Sequence, residues 1–379
     1  MFVISTIAIG CVLFIYTLWR IICPLPLRWW WKLLLCVPLV LGAFRYPLLH
    51  RIYGGHFFRP DCPMWVEMGC TWLFMSLLIL LALLLVVELV FLVPGLIWRR
   101  KPWLRRARHA MCCLSLPVAL GAAGWGMYQA FALPEVREIT IALPHLQQPV
   151  KLAMLTDLHA DRYKQADFFR EVVNRTNALQ ADAIVITGDF EDGHLYDLAP
   201  ALAPLRHLES RWGTYAVHGN HDYFSGHHAW QRYLRSLGIR FLNNEHALPG
   251  PGYLVLAGVT DPAAGRDNCA PPDLAQAVAG APADKTVVLL AHQPRIAGEA
   301  ARLGVHLQLS GHTHGGMAPG LRQLVALFND GLVQGLYRRG NLSLVLIHHN
   351  VLNSVQVRDI SLDFLRIYIL AVIKDYEVL

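Results

Sequence analysis

Hydrophobic positions along the chain fall into two regimes. Before about residue 132 they form long runs almost free of charge; from Val150 onward they form short β-branched and apolar runs that alternate with longer amphipathic stretches. Four runs of the first kind, Phe2 to Trp19, Leu33 to Leu49, Trp65 to Val93 and Met111 to Leu133, approach the ~20 apolar residues needed to cross a bilayer. They predict about four transmembrane helices within residues 1–135, the second run being the shortest. The first run lacks a basic start and an evident small-residue cleavage site, so it is expected to be a retained helix and not a secretory signal. The second regime is the pattern of strands joined by crossover helices in an α/β domain. Strands are expected at Lys151 to Thr156, Ala183 to Thr187, Thr214 to His218, Tyr253 to Ala257, Thr286 to Leu290 and His306 to Leu309. Helices are expected at Asp167 to Leu179, Leu198 to Leu208, Ala229 to Leu237 and Pro294 to Arg302, with surface loops at Pro249 to Gly252 and Ala270 to Pro282.

Composition supports the division, since 55% hydrophobic residues in a chain of 379 is too apolar for one ordinary soluble domain. Trp29, Trp30, Trp31, Trp98 and Trp103 flank the apolar runs, where an indole buries its ring and keeps its N–H hydrated. Arg99, Arg100, Lys101, Arg105, Arg106 and Arg108 lie between the third and fourth runs and are expected to stay cytoplasmic. With four crossings, the soluble half and the N-terminus then lie outside. This cluster accounts for much of the formal charge of +6 and suits anionic headgroups, whereas no basic stripe for nucleic acid is present in the soluble half. Seven of eight cysteines fall in the membrane half; Cys62 and Cys70 are expected to be buried free thiols, and Cys269 stands alone in the soluble half. Glu88, inside the third run, is expected to face other helices in neutral form or to sit near the interface.

Polar residues of the second half concentrate directly after the expected strands: Asp157-Leu158-His159, Gly188-Asp189, Gly219-Asn220-His221-Asp222, Ala291-His292 and Gly311-His312-Thr313-His314. In open α/β sheets the carboxyl ends of the strands form the ligand crevice, so these residues are expected to converge. Taken singly, an Asp after a strand is a turn and a lone His is a structural side chain. Together they offer carboxylates, an amide and imidazoles, a donor set that suits two Mn, Fe, Zn or similar ions.

In this order the residues resemble the calcineurin-like metallophosphoesterase family, whose blocks D-x-H, G-D-x-x-D, G-N-H-D, a lone His and G-H-x-H are matched by Asp157 with His159, Gly188 to Asp192, Gly219 to Asp222, His292, and Gly311 to His314. With its N-terminal helices the chain looks most like the membrane-anchored bacterial branch. The resemblance implies a β-sandwich flanked by helices (αββα) over residues 150–340, preceded by the helical region and followed by an atypical tail, residues 341–379. It implies one divalent metal on Asp157, His159, Asp189 and His314 and a second on Asp189, Asn220, His292 and His312, with Asp189 bridging. It also implies His221 as general acid oriented by Asp222, and Asp192 holding a ligand or capping the next helix. His194, His218, His227 and His228 match no position of the pattern and are expected on the surface or in loops. Gly188, Gly219 and Gly311 are expected where backbone approaches the metals.

After Gly316 the chain departs from the pattern. Met317 stands where that branch carries Gln, Leu342 to Ile347 reads as a strand, and His348-His349-Asn350 does not supply the glycine loop expected near substrate; both of these histidines read as structural. An altered reading frame near the end would account for the abrupt change. The resemblance implies hydrolysis of a phosphate ester or pyrophosphate by a metal-bound hydroxide, with a lipid phosphoester a candidate substrate at a bacterial plasma membrane. The alternatives are a nucleotide or cyclic-nucleotide phosphodiesterase, and a non-catalytic metal-dependent membrane sensor.

Overall fold

A computed structural model describes residues 2–57, 59–97, 101–146, 148–316, 322–340, 342–346 and 364–371. Trp98, Arg99, Arg100, Met317, His348, His349 and Asn350 lie outside the described residues. The chain divides into two compact units, Met1–Phe131 and Ala132–Leu379.

The first unit contains α1 (Phe2–Thr17), extended by a π-helical turn Leu18–Ile22, then α2 (Trp29–Ala43) and α3 (Arg45–Tyr53). A hairpin of β1 (Gly55–His56) and β2 (Arg59–Pro60) leads to α4 (Met64–Ile97) and α5 (Pro102–Ala130). Among the described residues three helical stretches are long and apolar enough to cross a membrane: Val3–Ile22, Met64–Ile97 and Pro102–Ala130. The expected second span is instead a broken pair, α2 and α3, bent by 84°. Phe44 leaves the helical region there at φ −116° and ψ 28°, and Pro47 in the first turn of α3 cannot donate back across the break. Arg45 is buried at the bend, its guanidinium donating to the hydroxyls of Thr71 and Tyr46 and lying over the Phe74 ring. The count is therefore three spans, or four, as expected, if the bent pair is one.

Close packing within this unit is visible at Gly10, where a Cβ would overlap the Ala43 carbonyl. Trp72 Nε1–H donates to Leu120 O at 3.0 Å, tying α4 to α5. Glu88 faces other helices, as expected, but not as an isolated neutral group: its carboxylate is ion-paired with both Arg20 and Arg108, which come from separate helical segments. All eight cysteines are free, Cys62 and Cys70 being buried beside Leu49.

The second unit holds two six-stranded sheets. One contains β3 (Arg137–Ala142), β4 (Val150–Thr156), β5 (Ala183–Ile186), β6 (Thr214–Ala216), β7 (Ile239–Phe241) and the late strand β14 (Phe364–Ala371), in the order β3-β14-β4-β5-β6-β7. The other contains β8 (Glu245–Ala247), β9 (Leu254–Gly258), β10 (Thr286–Leu290), β11 (Leu307–Ser310), β12 (Gly335–Arg339) and β13 (Leu342–Leu346), in the order β12-β13-β11-β10-β9-β8. The interior pairings are parallel, and β3, β8 and β12 are antiparallel edges.

Alternate residues of each central strand face opposite ways, which explains why these strands read as unbroken apolar runs. Leu152, Met154 and Val185 meet Leu256, Val288, Leu290 and Leu309 between the sheets. On one outer face Leu155, Ile184 and Ile186 pack against α6 (Ala166–Ala178), α7 (Leu195–Leu202) and α8 (His227–Ser236) through Phe169, Leu198 and Trp230. On the other, Val255 and Leu289 pack against α9 (Leu274–Val278) and α10 (Ala297–Arg302) through Leu274 and Ala300. A short α11 (Arg322–Phe328) follows. The layers are thus helix, sheet, sheet, helix, as the resemblance implied.

Several elements differ from expectation. The expected loop Ala270 to Pro282 contains α9, begun by Asp273, whose carboxylate accepts from Gln276 N–H at 2.8 Å. The expected helices at Leu198 to Leu208 and Pro294 to Arg302 each include a 3₁₀ segment, Ala203–His207 and Pro294–Ile296. Three strands come from outside residues 150–340: β3, β13 and β14, the last in register between β3 and β4. The expected strand beyond Asn341 is β13.

Candidate metal centre

Five loops deliver the polar residues, three from the ends of β4, β5 and β6 and two from β10 and β11. At these loops the backbone is forced into the left-handed region at Asp157 (φ 51°), His159 (42°), Asp189 (56°), His312 (71°) and His314 (43°). A non-glycine residue there costs roughly 1–2 kcal/mol, so the fold holds these five residues, in the loops after β4, β5 and β11, only by cross-bracing. Asp157 N–H donates to Gly188 O (3.0 Å), His159 N–H to Asp189 O (2.9 Å) and Gly311 N–H to His292 O (3.0 Å). Between the two sheets, His312 N–H donates to Asp157 Oδ1 at 3.0 Å. The approach is tight enough to require glycine: a Cβ on Gly311 would overlap the Thr156 hydroxyl and the Asp157 carboxylate, and one on Gly219 would overlap Asp189.

The side chains turn inward in a defined way. His292 Nδ1–H donates to Thr187 O at 2.8 Å, which directs Nε2 to Asp189 Oδ2 and Asn220 Oδ1, each 3.1 Å away. His159 Nδ1 lies 3.1 Å from both Asp192 oxygens, leaving Nε2 3.3 Å from His314 Nε2 and 3.6 Å from Asp189 Oδ2. His314 Nε2 is 3.6 Å from Asp157 Oδ1, and the His312 ring lies 5.1 Å from that of His292. Two groups, Asp157 with His159 and His314, and Asp157 with Asp189 and His292, bring their donor atoms within 4.8 Å of one another. Imidazoles anchored through one nitrogen and turned inward with the other are the usual arrangement of metal ligands.

Charge follows the same logic. Burial opposes ionisation of Asp157 and Asp189, yet the imidazoles of His314 and His292 respectively outweigh it and hold both carboxyls below their ordinary value. Burial likewise opposes protonation of His292, but Asp189 beside it pushes the group up to about 10. The oxygens that favour a proton at that nitrogen would favour a metal cation equally. His312 and His314 are pulled down by burial to about 3 and about 4, so they stay neutral and available as donors at neutral pH. The donor set therefore fits divalent cations.

His221 differs from the buried imidazoles in being partly open, with 17% of its side chain exposed. Its Nδ1 lies 2.7 Å from Asp192 Oδ1, and its backbone N–H donates to Asp189 Oδ1 at 2.9 Å. The expected orienting contact from Asp222 is not made. Asp222 accepts instead from the backbone N–H groups of Gly219 (2.8 Å), Phe190 (2.7 Å) and Asp189 (3.1 Å), fastening the β5 and β6 loops together. Asp192 takes the orienting position, gripping His159 and His221 at once, and does not cap α7, which starts after His194. His218 lies in the loop after β6, one of the two places expected, but is buried and stacked on Phe241 at 4.1 Å, whereas His227, buried at the start of α8, is neither on the surface nor in a loop. Thr156, whose hydroxyl donates to Asp157 Oδ2 at 2.7 Å, had no signal beyond its place at a strand end.

Comparison with known proteins agrees with this geometry. The family model for calcineurin-like phosphoesterases matches residues 150–316. An uncharacterized metallophosphoesterase of Helicobacter pylori strain J99 is 33% identical over 229 residues, covering 60% of this chain and 61% of that protein. The chain thus spans about three fifths of that relative's length. A transmembrane protein with metallophosphoesterase domain from Danio rerio is 30% identical over 330 residues, 79% of this chain and 72% of that protein, more than residues 132–379 alone could supply. Its counterpart in Bos taurus is 34% identical over 268 residues, 65% of this chain and 58% of that protein. Relatives of the same kind thus occur in bacteria and vertebrates, and the chain belongs to the calcineurin-like metallophosphoesterase family.

Proposed function

We propose that this chain is a membrane-anchored phosphoesterase with two divalent metal ions. Asp157, His159, Asp189 and His314 would hold one, and Asp189, Asn220, His292 and His312 the other. The observation that carries the reading is the inward convergence of imidazole nitrogens, carboxylate oxygens and the Asn220 amide from five separate strand ends, with His159 and His292 each anchored through their other ring nitrogen. When bound, such ions supply positive charge to a phosphoryl group and lower the pKa of water.

The chain's own residues account for the rest. His221 is partly open, with Nδ1 engaged by Asp192, so Nε2 can deliver a proton to a leaving oxygen while the carboxylate stabilises the imidazolium. Asp222 keeps the loop carrying Asn220 and His221 against the loop carrying Asp189. His159 shares Asp192 with His221, which couples ligand placement to proton donation.

A lipid phosphoester is the favoured substrate, because the N-terminal apolar helices would concentrate the site at a bilayer. The test is turnover of bis-p-nitrophenyl phosphate and a phospholipid panel by the metal-reconstituted full chain, with Asp189→Ala and His221→Ala beside it. Equal turnover by all three proteins defeats the mechanism; hydrolysis of nucleotides but no lipid would transfer the reading to a nucleotide phosphodiesterase.

A further inference from the structure

His227, His228 and Cys269 bring an imidazole nitrogen each and a thiol sulfur within 4.8 Å of one another, outside the cluster of Asp157 and His292. All three line a cavity of about 290 Å³. His227 is 2% exposed, and its Nδ1 is buried without a hydrogen-bond partner. Asn243 Oδ1, on the same cavity wall, is likewise buried and without a partner. Leaving such polar atoms unpaired costs about 1–3 kcal/mol each, so a native structure retains them where a ligand or water completes them.

The three residues are held in place. Left-handed Asn268 (φ 55°) ends the 3₁₀ helix Pro262–Asp267 and turns Cys269 back, its N–H bonded to Ala264 O at 3.1 Å. Asn244 and Thr260 brace the following residues through Pro271 O (2.8 Å) and Ala270 O (2.9 Å). The His227 ring stacks on Tyr223 with centroids 4.2 Å apart.

We infer that His227, His228 and Cys269 form a further metal site, selective for Zn²⁺ by its mixed nitrogen and sulfur donors. Two imidazoles and a thiolate leave one tetrahedral position for an exchangeable ligand, as in open zinc sites. A water there would give Asn243 Oδ1 a donor. The site joins the loop after β9 to the first turn of α8, six residues beyond His221, so occupancy would stiffen the segment that carries the proton donor.

Cobalt substitution tests this without depending on catalysis. Thiolate bound to Co²⁺ gives a near-ultraviolet charge-transfer band, and the ligands assigned to the catalytic pair include no sulfur. Full chain in detergent, reduced and titrated with Co²⁺, is expected to develop this band and to bind one equivalent beyond Cys269→Ser. Cys269→Ser and His228→Ala, at a half-buried and an exposed position, should lose the band and that equivalent while keeping the remainder. Absence of the band in the unaltered chain, or its survival in Cys269→Ser, overturns the site.

Discussion

At the scale of single residues, the site depends on side chains that hold each other by one atom and present another. His221 is the clearest case, because its Nδ1 meets Asp192 and it is not among the ligands assigned to the two metals. Replacing it with Ala should lower kcat by about 10²- to 10⁴-fold, with bound metal unchanged on elemental analysis. Asp192→Asn should lower kcat and also weaken metal retention, since the same carboxylate steadies His159. A variant that lost activity but kept its metals in full would mean Asp192 acts on His221 alone. The residues of this site were legible in the sequence because chemistry confines them to strand ends with recurring spacing. Their partnerships were not: Asp222 follows His221 directly, yet its oxygens reach three backbone N–H groups, and Asp192, twenty-nine positions upstream, takes the orienting contact. Adjacency in sequence says little where a 3₁₀ turn, His221–Tyr223, points successive side chains apart. The burial of His218 and His227 is illegible for a related reason, since a histidine carries no mark of burial until Phe241 and Tyr223 are seen to cover it.

At the scale of elements, Asp222 acts as a fastener between two loops. Asp222→Ala would leave three buried backbone donors unpaired, a cost on the order of 3 kcal/mol or more. Chemical unfolding should show this, with the β5 and β6 amides losing hydrogen-exchange protection first. Acid should act on the same region. His227, His312 and His314 stand at about 4, 3 and 4 in the folded protein because burial lowers them from 6.5. Between pH 6.5 and about 4 the unfolded chain takes up protons that these folded imidazoles refuse, so the stability these three carry is fullest above 6.5 and falls as pH drops through that window. Metal-stripped protein should accordingly unfold at lower denaturant concentration at pH 5 than at pH 7, whereas a flat profile would remove these imidazoles from the cause. Central strands were readable because burial on both faces makes them continuous apolar runs, as Ala183 to Thr187 and Thr286 to Leu290 show. The short edges β7 and β8 were not, for three residues hold too few positions to set a period. Helix α9 was hidden by the prolines and glycines around it, although Asp273 followed by Gln276 is a helix-start signal.

At the scale of the whole molecule, two units built by different physics share one chain. The N-terminal unit satisfies its backbone within helices, so its charged side chains are the exceptions that call for partners. The sequence alone points to a neutral carboxyl facing other helices, or to one near the interface, because no partner stands near Glu88 along the chain. The partners come from Arg20, sixty-eight residues earlier, and Arg108, twenty residues later, so they become visible only once three helical segments pack. Removing Glu88 leaves two guanidinium groups facing each other without a counter-charge. Breaking a fully buried pair in this way costs about 3–5 kcal/mol; here Arg108 is 38% exposed, and roughly 1–3 kcal/mol is the expected loss after allowing for screening. Glu88→Ala should therefore lower the thermal midpoint of the detergent-solubilised chain, and Glu88→Gln should do so nearly as much, because an amide fills the space but not the charge. Combining Glu88→Ala with Arg20→Ala should recover part of the loss, as only one cation is then left unpaired. Turnover of a soluble phosphodiester below the transition should remain within about twofold of the unaltered chain, for the ligands and His221 belong to the other compact unit. A midpoint that did not move in either single variant would show that lipid-facing solvation, and not the ion triad, carries these charges.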